Sequence, residues 1–296
     1  PVGLAAGFDK NGKICEFIES LGFGFMEVGS VTYNGGKGNP RPRILRLPND
    51  YALINRMGLN NQGAYEVRKN LKLRKSKFPV GVNLAKTHSP DIVGDAGIKD
   101  FIRNYFAMSL LNAATFYVLN ISCPNTVEGK TFEEPSILKE FLSAISPEIN
   151  RVYVKLSPDL TDFALDEILQ VTEDAGVTGY VISNTSADRN NLSELSRKIS
   201  KEFGLGGLSG PPIKNVSTEM VRKVFKKTRK TIFGVGGIFT AEDAYEKMQA
   251  GASLVEVLTG MIYEGSTIAR EINKGLVRLM ERDGVKNLSE VVGAAV

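Results

Sequence analysis

The chain has 296 residues, of which 42% are hydrophobic and 24% are charged, as is ordinary for a globular protein. Its formal net charge of +4 is too small to indicate nucleic-acid binding. A single histidine, His88, argues against a histidine general base and against a zinc site. The two cysteines, Cys15 and Cys123, form no CxxC pair, so we predict no metal or iron–sulfur site and a reducing compartment.

Short apolar runs alternate with helically spaced segments along the whole chain. The runs predict strands at 3–7, 25–31, 79–85, 117–122, 152–157, 179–184, 232–236 and 254–259. Between them the spacing predicts helices at 13–21, from 64, at 98–113, 135–145 and 164–175, from 241, and at 266–282. Residues 185–214 are predicted to be a polar loop. Eight strands, each but the sixth followed by a predicted helix, and no composition shift predict an α/β fold, a single (β/α)8 TIM barrel over residues 1–296.

One long insertion follows the second predicted strand, over residues 32–62. Its RPRILRLP segment, residues 41–48, predicts a hairpin laid across one end of the barrel. A glycine-rich insertion of this length is typical of a functional lid or wall.

The ends of the predicted strands carry an unusual number of polar residues. Any one of them could be a turn residue, but the carboxyl ends of barrel strands converge on one mouth, where barrel active sites lie. The set comprises Lys10, Ser30, Asn83, Asn120, Lys155, Asn184, Gly236, Gly237 and Thr259. Together these residues predict a functional site at that mouth.

The fourth strand runs into the segment LNISCPN, residues 119–125. A thiol at Cys123 between amides at Asn120 and Asn125 suits a base that removes a proton from a substrate held by neutral hydrogen bonds. The alternative is a buried structural cysteine with two turn asparagines.

Glycine pairs mark a second feature of this mouth. Gly236–Gly237 and Thr259–Gly260 follow the seventh and eighth strands, where barrels bind phosphate, and GGLSG at 206–210 could close over the same group. The alternative is that these glycines only serve tight turns.

The motifs resemble the dihydroorotate dehydrogenase family. The blocks that carry the resemblance fall in the family's order: GLAAGFDKNG, EVGSVT, GNPRPRILRLPNDYALINRMGLNNQG, NISCPN, VKLSPDL, VISNT, GGLSGPPI, GVGGI and GASLVEVLTGMIYEG. The resemblance implies an FMN-binding barrel that oxidises dihydroorotate to orotate in pyrimidine biosynthesis. In that reaction Cys123 would remove the C5 proton and N5 of FMN would accept the C6 hydride.

The resemblance also implies positions for both ligands. Lys155 would place positive charge beside the N1–C2=O edge of the flavin, and Lys10 would pair with the carboxylate of orotate. FMN contacts are expected at Ala5, Ala6, Gly7, Ser30, Asn83, Asn120, Lys155, Ser183, Gly210, Gly236, Gly237, Val257, Leu258 and Thr259. Substrate contacts are expected at Lys10, Asn55, Arg56, Met57, Gly58, Leu59, Asn120, Asn125, Asn184 and Thr185.

The electron acceptor is implied less directly. The insertion and the GLAAGFDKNG opening resemble class 2, the membrane-associated, quinone-reducing branch. Class 2 has serine at the position of Cys123, whereas cysteine there resembles class 1, the fumarate- or NAD-linked branch. Leu258 stands where class 2 has tyrosine. Most of the chain favours a quinone.

Two further predictions depend on that acceptor. The chain starts at Pro1 without a methionine, so we expect an upstream segment that would make peripheral contact with the cytoplasmic or inner-membrane face. With fumarate or NAD as the acceptor, the protein would be cytoplasmic.

The competing functions are a related FMN barrel acting on another dihydropyrimidine, and a phosphate-binding barrel without a redox role.

Overall fold

The computed structural model describes residues 1–110, 112–122, 132–146 and 151–296. In chain order the strands are β1 (Val2–Leu4), β2 (Phe25–Val31), β3 (Ile44–Leu47), β4 (Ala52–Asn55), β5 (Val80–Leu84), β6 (Phe116–Asn120), β7 (Val152–Leu156), β8 (Gly179–Ile182), β9 (Gly207–Ser209), β10 (Thr231–Val235) and β11 (Leu254–Val257). The helices are α1 (Cys15–Ser20), α2 (Ala64–Leu73), α3 (Gly94–Ser109), α4 (Pro135–Ile145), α5 (Asp162–Asp174), α6 (Glu194–Phe203), α7 (Lys214–Lys227), α8 (Ala241–Gln249), α9 (Thr259–Glu264) and α10 (Ile268–Arg282).

Eight of these strands close into a parallel barrel in the order β1-β11-β10-β8-β7-β6-β5-β2. Each barrel strand is joined to the next by a segment that holds at least one helix, so the predicted (β/α)8 barrel is confirmed. The pairing register sets Asn120 on β6 directly opposite Lys155 on β7. Because parallel strands all end at one rim, this register brings the predicted strand-end residues to the same mouth.

The barrel interior changes from apolar to polar along its axis. Near the amino-terminal ends of the strands the rings of Phe25, Phe116 and Phe233 pack together, with Phe233 centred 5.3 Å from Phe25 and 5.4 Å from Phe116. Alternate residues on a strand share a face, so Glu27, two positions after Phe25 on β2, also points inward. On β7 the inward residue two positions after Tyr153 is Lys155. The aromatic layer therefore closes the floor beneath a charged layer.

The insertion after β2 forms the predicted hairpin. Strands β3 and β4 pair antiparallel, and β4 also pairs with β9, which gives a three-stranded sheet beside the barrel mouth. The register places Asn55 opposite Gly207. The insertion thus forms a wall that joins two distant parts of the chain.

The predicted polar loop at 185–214 is wrong, because this stretch contains α6 and β9. Helix α6 buries Ser196 and Ser200 and leaves Leu195 and Ile199 exposed, so it has no buried apolar stripe to reveal its period. Strand β9 has only three residues and pairs with β4, a partner about 150 residues away, so local pattern does not identify it.

The helices cover the outside of the barrel. Within the described ranges, no helix combines the length and the apolar character needed to cross a bilayer.

Candidate active site

The loop after β1 is organised by the carboxylate of Asp9. Its two oxygens accept four backbone N–H groups at 2.7–3.0 Å, those of Asn11, Gly12, Lys13 and Ile14. The side chain is buried, and hydrogen bonds to a carboxylate are stronger than neutral ones. Asp9 therefore fixes the loop that presents Lys10.

Lys10 is a half-buried cation at this rim. Burial, followed by the positive charge of Arg43, lowers the pKa of Lys10 to about 8. In the described part of the chain, no anionic neighbour offsets the solvation that the ammonium has lost. Such a group binds a ligand carboxylate well, since the ligand supplies the missing negative charge.

A chain of side-chain hydrogen bonds crosses the mouth from β2 to the end of β8. Ser30 Oγ donates to Asn83 Oδ1 at 2.5 Å, and Asn120 Nδ2 donates to Ser30 Oγ at 3.2 Å. Asn184 Nδ2 donates to Asn120 Oδ1 at 3.3 Å and to Ser122 Oγ at 2.8 Å. The strand-end residues predicted from sequence are thus joined in one polar array.

Beneath this array lies the charged layer of the barrel interior. Asn83 Nδ2 donates to Glu27 Oε2 at 3.1 Å, and Lys155 Nζ lies 3.7 Å from the same oxygen. Glu256, on β11, is also buried, and desolvation together with the negative charge of Glu27 raises its pKa well above the ordinary value. Burial therefore favours the neutral form of Glu256, and Lys155 pairs with Glu27.

The glycine motifs form a second part of the mouth. Gly236 and Gly237 have φ of +117° and +71°, a left-handed turn of the kind that gathers successive N–H groups into an anion-binding nest. Helix α9 starts at Thr259 without a side-chain cap, which leaves its first N–H groups available. These features fit a phosphate group.

Neighbouring contacts hold this region in place. Thr259 Oγ1 donates to Ser209 Oγ at 2.8 Å, next to Gly210. On the other side, a capping box at the start of α8 joins Thr240 and Asp243, whose Oδ2 also accepts the N–H of Phe239 at 3.0 Å. The capping box therefore fixes the carboxyl-terminal end of the turn that follows β10.

The first strand and the last meet at the same rim. The N–H of Ala5 donates to the carbonyl of Val257 at 3.0 Å, and a Cβ on Gly7 would lie 3.1 Å from Leu258. The N–H of Ser183 donates to the carbonyl of Val235 at 2.9 Å, one residue before Gly236. These contacts place five of the positions expected to contact FMN at the rim: Ala5, Gly7, Ser183, Val257 and Leu258.

The insertion wall adds residues expected to contact substrate. Asn55 Nδ2 donates to the carbonyl of Gly207 at 3.4 Å, and a Cβ on Gly207 would come within 2.0 Å of the Thr185 hydroxyl. The N–H of Thr185 donates to Asn184 Oδ1 at 2.8 Å. The wall is therefore continuous with the polar array.

The segment after Asn55 is held by its main chain. The carbonyls of Met57 and Leu59 accept hydrogen bonds from Asn39 N and Asn61 Nδ2 at 3.1 and 2.8 Å, and Gly58 forms a left-handed turn with φ of +69°.

Arg56 differs from its neighbours in the insertion. Its guanidinium stacks on Phe203 of α6, 4.3 Å from the ring centroid, and donates to the carbonyl of Phe203 at 2.8 Å. It also donates to the carbonyl of Pro42. The Arg56 side chain thus joins the insertion to α6. Its N–H donates to the carbonyl of Arg43 at 2.9 Å, and its carbonyl accepts from Asn39 Nδ2 at 3.0 Å.

Cys123 and Asn125 lie outside the described residues. The last described residue before them is Ser122, whose hydroxyl joins the polar array. The roles of Cys123 and Asn125 stay predictions from the sequence.

Four residues of this site were not identified from the sequence: Asp9, Glu27, Ser122 and Glu256. Glu27 and Glu256 stand inside the apolar runs FMEVGSV and LVEVLT. A lone carboxylate within a buried strand was a usable signal, because a buried charge needs a partner. Asp9 had a weaker signal, since Asp commonly accepts N–H groups of a following turn.

Comparison with known proteins identifies the family. The sequence profile of the dihydroorotate dehydrogenase family matches residues 1–280. The chain belongs to the dihydroorotate dehydrogenase family. The family is flavin-dependent.

Several members are similar over the full chain. The dihydroorotate dehydrogenase (quinone) of Natronomonas pharaonis is 44% identical over 297 residues, which cover 100% of this chain and 83% of that protein. The enzyme of the same name from Mycolicibacterium smegmatis is 40% identical over 299 residues, covering 100% of this chain and 82% of that protein.

A solved structure agrees. The dihydroorotate dehydrogenase of Eimeria tenella, crystallised with ferulenol, superposes with a TM-score of 0.89 at 34% identity. The match covers 99% of this chain and 85% of that one. The barrel with its insertion is therefore shared with a member of the dihydroorotate dehydrogenase family.

Proposed function

We propose that the chain oxidises dihydroorotate to orotate with bound FMN and passes the electrons to a quinone. The observation that carries this proposal is the arrangement at the barrel mouth. An array of amides and hydroxyls lies above the buried Lys155, with a second lysine, Lys10, at the rim. Family membership supports the same reaction.

The rim residues suit the substrate. A pyrimidine ring presents alternating donors and acceptors, and the side-chain amides of Asn55, Asn120 and Asn184 can supply both. Lys10 supplies the positive charge for the carboxylate. Together these groups hold and orient the ring without a strongly charged group against its carbonyls.

The glycine region suits the phosphate of FMN. The N–H groups of Gly236, Gly237 and the first turn of α9 would hold it, and Lys155 would provide positive charge for the reduced ring. When bound, FMN supplies the two-electron acceptor for the oxidation. The hydrogen bond between Ser30 and Asn83 supports their expected role beside the flavin ring.

The proton at C5 requires a base from the chain. We assign this role to Cys123 from the sequence, since no other thiol stands at the mouth and the single histidine, His88, lies in a different segment. A thiol with a pKa of about 8.5 is a few per cent thiolate at neutral pH. Asn125 is assigned to substrate binding on the same basis.

Relatives named as quinone enzymes support the choice of acceptor, against fumarate or NAD. Because respiratory quinones reside in the bilayer, we include peripheral membrane contact in the proposal. The test is to reduce the FMN-loaded chain with dihydroorotate and offer ubiquinone, menaquinone, fumarate and NAD in turn. Quinones should reoxidise it fastest, and faster reoxidation by fumarate or NAD would overturn the quinone assignment.

Orotate affinity should depend on the charge of Lys10. With the pKa of Lys10 near 8, the free chain carries the ammonium below that pH and loses it above. The dissociation constant for orotate should stay level from pH 6 to 7.5 and then rise toward about tenfold per pH unit. Titration of the bound flavin's absorbance with orotate at each pH measures this.

Two variants give the controls for this experiment. Lys10→Met should weaken orotate binding about 100-fold at pH 6.5 and abolish the pH dependence, as expected for a lost partner of a buried ion pair. Lys13→Met removes an exposed lysine of the same loop and should change neither. A pH dependence that persists in Lys10→Met would assign the titration to another group.

A further inference from the structure

Lys247 is a buried cation that the proposed site does not use. It lies on α8 with no exposed surface, and its Nζ donates to Ser217 Oγ and Thr218 Oγ1, both at 3.0 Å. Among the described residues, no carboxylate lies within ion-pair distance of it. The nearby acids, Asp243 and Glu246, are paired with Lys214 at 2.9 and 3.0 Å.

The course of this side chain leads to the predicted phosphate site. Its stem crosses the outer face of β10 at Gly234, where a Cβ would lie 2.7 Å from Lys247 Cγ and Cδ. The ammonium then reaches Ser217, which also donates to the carbonyl of Val235. A Cβ on Gly236 would lie 3.0 Å from the same Ser217 hydroxyl. One hydroxyl therefore separates the ammonium from the back of the Gly236–Gly237 turn.

The charge balance behind the turn favours an anion on its other side. Burial lowers the pKa of Lys247 to about 7, an effect that Glu246 and Asp243 oppose and Lys214 reinforces. The neutral amine and the ammonium are thus nearly equal in free energy at neutral pH. A nearby anion would favour the ammonium, because buried charges in proteins are stable when paired.

We propose that Lys247 is a positioning residue for phosphate, whose buried charge strengthens binding of the phosphate monoester at Gly236–Gly237 and couples that binding to uptake of a proton. The inference rests on the proposed use of FMN and adds a group that does not touch the ligand. The competing explanation is structural, with Lys247 only joining α7 to α8 through Ser217 and Thr218.

FMN and riboflavin separate the two explanations, since they share the ring and differ in the phosphate. The full chain is freed of flavin and titrated with each, following quenching of flavin fluorescence. In Lys247→Met and Lys247→Gln the affinity for FMN should fall about tenfold or more, while that for riboflavin changes less than twofold. Lys227→Gln, at an exposed lysine of α7, is the matched control and should change neither.

An equal loss of FMN and riboflavin affinity, or no loss of either, would overturn the inference. If the wild-type chain binds neither flavin, the proposed function fails instead. The two failures are therefore distinguishable.

Proton uptake tests the same inference without a variant. At pH 8 the FMN phosphate is a dianion, and Lys214, whose pKa is raised by its bond to Asp243, already carries its charge. Calorimetry in buffers of different ionisation enthalpy should then show FMN binding with uptake approaching one proton, and riboflavin binding with almost none. Equal uptake for both flavins, or none for FMN, would contradict the coupling.

Discussion

Replacing Cys123 with alanine should slow reduction of the flavin by dihydroorotate about 10²–10⁴-fold, the usual contribution of a positioned base. Binding of FMN and orotate should persist, because neither requires the thiolate. Reoxidation by the acceptor should be nearly unchanged, since no substrate proton is removed in that half-reaction. Rapid mixing under anaerobic conditions measures the two half-reactions separately.

The second cysteine provides the matched control. Cys15 is buried on α1, and burial followed by the negative charge of Asp9 raises its pKa to about 11. Cys15→Ala should therefore keep wild-type flavin reduction. In the wild type and in Cys15→Ala the rate should rise with pH until the thiol of Cys123 is ionised, and this rise should vanish in Cys123→Ala. Near-normal reduction in Cys123→Ala would exclude this thiol as the base.

Replacing Lys155 with methionine should lower the reduction potential of bound FMN by about 30–60 mV, taking ~1.4 kcal/mol as 30 mV for a two-electron couple. The substitution removes the positive charge of the inner layer and leaves Glu27 without its cation. Flavin reduction should slow by about 100-fold, as for loss of one group that stabilises developing charge. FMN should remain bound, because the phosphate region is built from Gly236, Gly237 and α9.

Lys230 supplies the control for this substitution. It lies just before β10, at the opposite end of the barrel from the mouth, and pairs with Glu173 at 3.4 Å. Lys230→Met removes a partly buried lysine and should leave the potential unchanged. An unchanged potential in flavin-loaded Lys155→Met, measured by redox titration against a dye, would refute the electrostatic role of Lys155.

The barrel could be predicted because its strands are short, buried and bounded by polar strand ends. The segments 25–31 and 135–145 match β2 and α4 in full. The prediction failed at 185–214, where serines rather than apolar residues face inward on α6 and where β9 depends on pairing with a remote strand. Helix α9 was missed because it follows β11 after a single residue and has only six residues.

The candidate site could likewise be predicted only in part from the sequence. Strand-end residues such as Asn83 and Asn184 could be placed at the mouth, because the fold alone brings strand ends together. The inner pair of Glu27 and Glu256 could not, since their proximity depends on closure of the barrel. The helical spacing could have indicated that Lys247 is buried, because it lies three residues after Ala244 and next to Met248, on the buried face of α8.

Oxidation of dihydroorotate by the FMN-loaded barrel can be followed in a single titration. Purified chain loaded with FMN is mixed anaerobically with dihydroorotate while the flavin absorbance is followed and orotate is measured. The yellow colour should bleach with one orotate formed per flavin and return on addition of a quinone. A chain that retains FMN but keeps its oxidised spectrum in excess dihydroorotate would contradict the proposed oxidation.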